Sequence, residues 1–574
     1  MIKARFEAQD RHANLEEYES VYRSFSWAEQ EKYFTWPESG RVNIAYEAVD
    51  RWAEDPEMAD HAALIFDASG EHQIFSFREL KEKSSQMANL FLDHGLKSGD
   101  RFFIYLAPCP ELYLAMLACA RLGVVFAPLF STLSYSELEV RLKNGAPAGL
   151  LTHPDLCERL PTEVMSQVGP IFLTGDPTLC SLSREEVPLQ GSMARLAKDC
   201  PMRWPGLDAS LYLLYTSGST GPPKGVLHAH GDMLGHLVTA RYVLDLKNDS
   251  VLWTDGSPAW VTGAVYGAFA PWLCGVTSVV QCDPFSASKC YRTLEQHRVS
   301  VWYTTPGRIK SLMGAGEDLP GRYDLSSLRH IATVGESLSP DLFYWVKKNL
   351  GLTPHDTWWM TETGMICLAN FPSMATKPGA LGKPVPGVSA AILDEQGHPL
   401  PVLSMGELAL KPSWPAMMIG IWKDEQRYRD YFRFNGWFVS GDMAIQEEEG
   451  YFYHQGRNDD LIKVGDQMVG PFEVERVLGR HPAVAEAAVI AKSIQTANPH
   501  IKAFVTLRPG FTSSTRLNLE IKEFVKANMS SAVPLREVAF VNALPKTRSG
   551  KLLRRVLRAG ELGLPAGDVA NMQD

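Results

Sequence analysis

The sequence predicts an α/β protein with a large, multi-layered N-terminal part and a small α+β part at its C-terminus. Three observations carry this reading. Short apolar runs alternate with helical stretches through most of the chain, the pattern of largely parallel sheets covered by helices. The texture changes after Gly436-Trp437, where Gly441-Asp442 and Gly450-Tyr451 punctuate short strands before Arg457-Asn458-Asp459-Asp460. The chain has 574 residues, several times the roughly 150 residues expected of one domain.

The elements follow in order. Ser76 is a candidate cap for a helix reaching Leu92, with Leu80, Met87 and Phe91 on one face and Gly95 past its end. A strand is expected over Phe102 to Leu106. The most apolar long window, Leu112 to Phe130, is broken by Arg121, Gly123 and Pro128, and reads as a buried helix followed by a strand. Further strands are expected at Gly149 to Leu151, Ile171 to Thr174, Val251 to Trp253, Thr277 to Val280, Val301 to Thr304 and Ile331 to Val334. In the C-terminal part, Ala483 to Ala491, Ala503 to Leu507 and Val538 to Val541 read as strands. Leu517, Ile521, Phe524 and Val525 form one helical face.

Composition narrows the function. Apolar residues make up 45% and charged residues 21%, as in a folded enzyme rather than a disordered chain. A net charge of −10 with no basic tract argues against nucleic acid as a partner. No window reads as a membrane span, and Met1 to Arg11 lacks the apolar core of a secretory leader. The nine cysteines show no paired spacing and read as reduced thiols, consistent with a cytoplasmic protein.

Phosphate-binding groups are densest at Tyr215-Thr216-Ser217-Gly218-Ser219-Thr220-Gly221-Pro222-Pro223-Lys224-Gly225. An apolar strand precedes it, glycines let backbone approach an anion closely, and four hydroxyls and a lysine supply donors. Its lysine spacing excludes a Walker loop, and its Pro-Pro-Lys-Gly ending is unlike a flexible Gly/Ser linker. His228, His230 and His236 lack a further ligand at metal-site spacing and read as structural.

The loop resembles the signature of the adenylate-forming superfamily, which includes acyl-CoA synthetases, luciferases and peptide-synthetase adenylation domains. Gly335-Glu336-Ser337, Asp356-Thr357-Trp358-Trp359-Met360-Thr361-Glu362-Thr363-Gly364, Ser440-Gly441-Asp442, Gly456-Arg457-Asn458-Asp459-Asp460 and Pro545-Lys546-Thr547-Arg548-Ser549-Gly550-Lys551 follow in that family's order. The Asp-Thr-Trp-Trp form, with Trp260-Val261-Thr262-Gly263, is most similar to AMP-forming acetyl-CoA synthetases.

That resemblance implies a two-step reaction. A carboxylate attacks the ATP α-phosphate to give acyl-AMP, and the thiol of coenzyme A then takes the acyl group. It also implies a domain of residues 1–458 for ATP and acid, and a mobile domain of residues 459–574 hinged at Asp459 and carrying Lys551. By the same comparison Thr216, Ser217, Gly218, Ser219, Thr220 and Lys224 cradle phosphates, Glu362 holds Mg²⁺, and Lys551 stabilises the transition state. Gly335, Glu336, Ser337, Asp356, Thr357, Trp358 and Thr361 surround the nucleotide, and Asp442 and Arg457 its ribose. Trp260, Val261, Thr262, Val334 and Trp359 line the acid pocket, where an indole fills the volume a longer chain would need.

Departures from the family pattern leave alternatives open. Asp466 stands where relatives have a glycine beside the thiol path, and Met468 where they have an arginine, so a carrier protein or another acceptor in place of coenzyme A is one rival. Ser257 stands where they have aspartate, near the acid pocket, which points toward a substituted small acid such as a sulfonated acetate. A nucleotide-binding regulatory protein that has lost catalysis is the second rival. The residues do not indicate an oligomeric state.

Overall fold

The computed structural model describes residues 6, 12–36, 39–68, 70–175, 186–216, 222–458, 462–464, 467–469, 471–492, 500–529, 535–546 and 552–562; side chains are not described at 462–464, 467–469, 472, 473 and 555. The chain divides into two compact units. The first comprises Met1–Thr216, Pro223–Val388 and Pro412–Asp430; the second comprises Ser217–Pro222, Ser389–Lys411 and Tyr431–Asp574.

Two large sheets organise the first unit. Nine strands follow the spatial order Lys383–Pro384, Leu368–Ala369, Pro354–Trp358, His330–Thr333, Val301–Thr304, Val251–Thr254, Thr277–Gln281, Ala62–Ala68, Glu71–Ser76. From Pro354–Trp358 to Ala62–Ala68 all neighbours are parallel. The other sheet runs Gly420–Ile421, Lys224–Ala229, Ser210–Thr216, Val125–Phe130, Arg101–Leu106, Gly149–Thr152, Ile171–Leu173, Glu186–Pro188. It is parallel except where Lys224–Ala229 runs against both its neighbours.

Local sequence explains the framing elements. Helix Phe77–Asp93 starts with a reciprocal capping box between Ser76 and Glu79, and buries Leu80, Met87 and Phe91. The apolar window resolves into helix Pro110–Leu122, ended by Gly123 in the left-handed region, and strand Val125–Phe130. Helix and strand are both buried along nearly their whole length, which is why no amphipathic period is visible there.

The second unit has a four-stranded antiparallel sheet, Ser389–Leu393, Met405–Lys411, Phe438–Gln446, Phe452–Arg457. A hairpin of Ile462–Val464 and Gln467–Val469 follows. The strands Val484–Lys492, His500–Leu507 and Leu535–Phe540 then form a three-stranded sheet. Helices Pro471–Leu478 and Thr515–Asn528 pack on it through Val474, Val477, Leu517, Ile521 and Val525.

One expectation about the thiols does not hold. Cys109, Cys119, Cys200, Cys274, Cys282, Cys290 and Cys367 are free, but Cys157 is disulfide-bonded. Scattered spacing carries no information about which cysteines a fold brings together. Among the described residues no helix is long and apolar enough to cross a membrane.

Candidate active site

Apart from Lys224, the described site residues expected in the first unit sit at or after the carboxyl ends of its strands, where open α/β sheets bind ligands. Thr216 ends Ser210–Thr216; Val334, Gly335, Glu336 and Ser337 follow His330–Thr333; Asp356, Thr357 and Trp358 close Pro354–Trp358. Ser217, Gly218, Ser219 and Thr220 lie outside the described residues, as do Asp459, Asp466 and Lys551.

Lys224 opens its strand directly opposite Thr216. Its ammonium lies 2.5 Å from a Glu362 carboxylate oxygen, with the two side chains only 7% and 6% exposed. A buried pair of opposite charges survives because each offsets the other's desolvation. The Thr216 hydroxyl is buried and has no hydrogen-bond partner among the described residues.

Glu362 rides on a short turn, Thr361–Thr363, whose backbone is closed by Gly364 in the left-handed region. A side chain at Gly364 would put its Cβ 1.9 Å from the Ala416 carbonyl oxygen and 2.8 Å from the His228 ring. Only glycine fits there.

A second cluster gathers around Asp356. One carboxylate oxygen accepts from the Thr333 hydroxyl at 2.7 Å and the Thr357 amide at 3.1 Å, and the other from the Leu338 amide at 3.0 Å. Burial outweighs these donors and raises its pKa to about 7. Its backbone carbonyl accepts from the amide and side chain of Asn370. Asp356 therefore ties together the segments that carry Val334 to Ser337 and Trp358 to Glu362.

Trp359 is held in one orientation by a directed chain of hydrogen bonds. Its indole Nε1 donates to the Tyr303 hydroxyl at 3.0 Å, Tyr303 donates to the Thr357 hydroxyl at 2.8 Å, and Thr357 donates to the Thr333 carbonyl at 2.7 Å. Tyr266 meets Trp359 edge to face at 5.1 Å and Tyr303 at 5.5 Å. Tyr266 lies two residues beyond Val261–Ala264, the helical segment that carries Val261 and Thr262. Trp260 caps that segment and meets Phe130 edge to face. Ser257 shapes the preceding turn, its carbonyl accepting from the Trp260 amide at 2.8 Å. It also borders a cavity of about 210 Å³ with Thr254, Asp255, Phe285 and Arg308.

In the second unit, Asp442 and Arg457 face each other on adjacent antiparallel strands. Arg457 donates to an Asp442 carboxylate oxygen at 3.0 Å and to the Ser440 carbonyl at 3.2 Å. Gly441 adopts a φ of 74°, and a Cβ there would lie 3.0 Å from the guanidinium. The two side chains form one unit of fixed geometry.

Sequence reasoning missed Tyr303, Tyr266 and Thr333. They lie in apolar runs that read as core, and only the hydroxyls on Tyr303 and Thr333, set next to strand ends, hint at a polar role. His228, His230 and His236 are fully buried, as expected of structural histidines. Burial lowers the pKa of both His230 and His236 to about 3. Among the described residues no group of three or more candidate ligands could hold a metal ion.

Residues 49–422 match the family described as AMP-binding enzyme, and residues 473–551 match the AMP-binding enzyme C-terminal domain. Among curated relatives, the acetyl-coenzyme A synthetase of Bacillus subtilis (strain 168) is 45% identical over 98% of this chain and 98% of its own. That of Methanothrix soehngenii is 35% identical over 94% of this chain and 85% of its own. Among solved structures, an anthranilate CoA ligase in complex with anthranoyl-AMP superposes with a TM-score of 0.82 at 26% identity, covering 91% of this chain and 97% of that one. A benzoate CoA ligase from Burkholderia xenovorans LB400 gives 0.80 at 25%, covering 90% and 100%.

Proposed function

The chain belongs to the AMP-binding enzyme family, and from that membership we propose that it is an AMP-forming acyl-CoA synthetase acting on acetate or a comparably small acid. It uses ATP, Mg²⁺ and coenzyme A. The observation that carries the small-acid reading is Trp359, locked by Tyr303 and flanked by the Tyr266 ring. An indole fixed in this way closes the space a longer acyl chain would occupy.

The acid is already ionised near neutral pH, so adenylation needs no general base. The protein's task is to orient two anions and offset their charge. Lys224 supplies an ammonium and Thr216 a hydroxyl donor toward the phosphates. Glu362, a buried carboxylate, is the oxygen donor that would hold magnesium together with phosphate oxygens, and the Thr216 hydroxyl has no hydrogen-bond partner among the described residues. When bound, the ion neutralises phosphate charge. Gly335 to Ser337, Asp356 to Trp358 and Thr361 border the nucleotide, with Asp356 setting loop positions. Asp442 accepts from ribose hydroxyls while Arg457 holds its carboxylate in place.

Lys551 is proposed as the residue that stabilises the transferring α-phosphate. What supports this is its Ser-Gly-Lys setting and the anchoring on either side of it. The Lys546 ammonium contacts both Glu486 oxygens at 2.7 and 2.8 Å, and Arg554 donates to both Glu475 oxygens at 3.0 and 2.6 Å. A domain division at 458/459 with its hinge at Asp459, and a cytoplasmic location beside the ATP and coenzyme A pools, belong to the same proposal.

The test is to incubate the purified protein with ATP, Mg²⁺ and small carboxylic acids, with and without coenzyme A, and to quantify AMP, pyrophosphate and thioester. Acetyl-CoA as the main product supports the reading in full. Pyrophosphate without thioester transfers the second half-reaction to another acceptor, and neither product with any acid overturns the reading.

A further inference from the structure

The turn bearing Glu362, taken with Gly364, has every one of its four backbone carbonyls engaged, each by a different side chain or backbone amide. Thr361 accepts from His228 Nε2 at 2.7 Å, Glu362 from the Met418 amide at 3.0 Å, Thr363 from Trp414 Nε1 at 2.8 Å, and Gly364 from His236 Nε2 at 3.1 Å. Short turns usually leave such carbonyls to solvent, so full engagement in a buried setting marks a segment whose position is over-determined.

His228 is central to it. It lies four residues after Lys224 on the same strand, and with a period of two both side chains leave the same face. Lys224 thus meets the Glu362 side chain while His228 meets the backbone one residue earlier. A backbone carbonyl can only accept, so His228 carries a hydrogen on Nε2. Its Nδ1 lies 2.6 Å from an Asp232 carboxylate oxygen, and its ring stacks on Tyr212 at 4.7 Å. Asp232 and Tyr212 between them leave the imidazole one orientation. His236, from helix Met233–Tyr242, holds the other end of the turn.

We propose that His228, oriented by Asp232, and His236 are positioning residues that set the Glu362 carboxylate for magnesium-bound ATP. The inference rests on the reading of Glu362 as the magnesium residue. Neither histidine touches substrate; both act through the turn.

The test measures ATP binding by titration calorimetry, with Mg²⁺ and with EDTA, in the full-length protein and in Glu362→Gln, His228→Phe, His228→Gln and His236→Phe. Phenylalanine keeps the ring stacked on Tyr212 and removes the donor. Losing one buried donor weakens magnesium-dependent ATP binding about tenfold. Affinity in EDTA is unchanged, and His228→Gln, whose amide can donate, recovers most of the loss. Melting temperatures are recorded alongside, and if His228→Phe fails to fold, His228→Gln and His236→Phe carry the comparison. Stability loss with magnesium-dependent affinity intact in both histidine positions, while Glu362→Gln weakens it, overturns the inference and leaves the reading of Glu362 standing. Unchanged magnesium dependence in Glu362→Gln itself overturns that reading, and the inference falls with it.

Discussion

Replacing Trp359 by glycine is the sharpest perturbation of substrate choice. The indole is only 9% exposed, and a tryptophan side chain accounts for about 150–250 Å² of buried surface. Its removal opens space between Tyr303 and Tyr266 and leaves the Tyr303 hydroxyl without its donor. A tryptophan-to-small change in a core costs about 3–5 kcal/mol of stability, which a large domain tolerates. An acid with three more methylenes than acetate regains about 0.8 kcal/mol for each one buried, or roughly 50-fold in kcat/KM relative to acetate. The assay is kcat/KM for acetate, propionate, butyrate and pentanoate, read as pyrophosphate release, with Trp359→Phe as an intermediate. The wild-type order should fall with chain length and the glycine variant should reverse it. A folded glycine variant that keeps the wild-type ratio of pentanoate to acetate refutes Trp359 as the wall of the pocket.

Three further outcomes are expected. Lys224→Met strands the Glu362 charge and destabilises the protein by about 3–5 kcal/mol, while adding Glu362→Gln restores part of that stability without restoring activity; urea denaturation of the single and double variants checks it. Asp356 keeps its proton up to about pH 7 in the folded protein against an ordinary value of 3.8, so the folded state binds more protons between those limits and stability falls as pH rises through them, by roughly 4 kcal/mol. Unfolding curves from pH 4 to 8 should therefore be flatter for Asp356→Asn, and parallel curves would count against it. Glu475→Gln weakens the bidentate Arg554 contact and the Val489 amide bond, costing about 1.5–3 kcal/mol, and should speed hydrogen exchange in the Arg554–Leu562 helix before it affects the Phe77–Asp93 helix.

Most elements were legible because local and global preferences agree. Ser76, the Leu80–Met87–Phe91 stripe and Gly95 all point to one helix, and that helix forms. Val301–Thr304 matches its expected bounds residue for residue. Strand pairing is a different matter. Lys224–Ala229 looks like the continuation of a phosphate loop, and nothing local shows that it runs antiparallel to Ser210–Thr216 at the edge of an otherwise parallel order. That placement depends on Gly420–Ile421, nearly two hundred residues later, pairing along its other side.

The same non-locality decides what could be known of the site. Motifs named Lys224, Glu362, Asp356 and Trp359 one at a time, since each motif is a local pattern. Their coupling is long-range: 224 to 362, 333 to 356, 303 to 359. His228 shows the consequence most clearly. Considered alone it is a buried histidine on an apolar strand, and a structural role is the fair expectation. Its relation to Glu362 follows only when strand alternation places it on the Lys224 face and the fold brings the 361–364 turn against that face. A histidine can thus be structural in its own contacts and still fix the position of a charged side chain, because the element it holds carries that group.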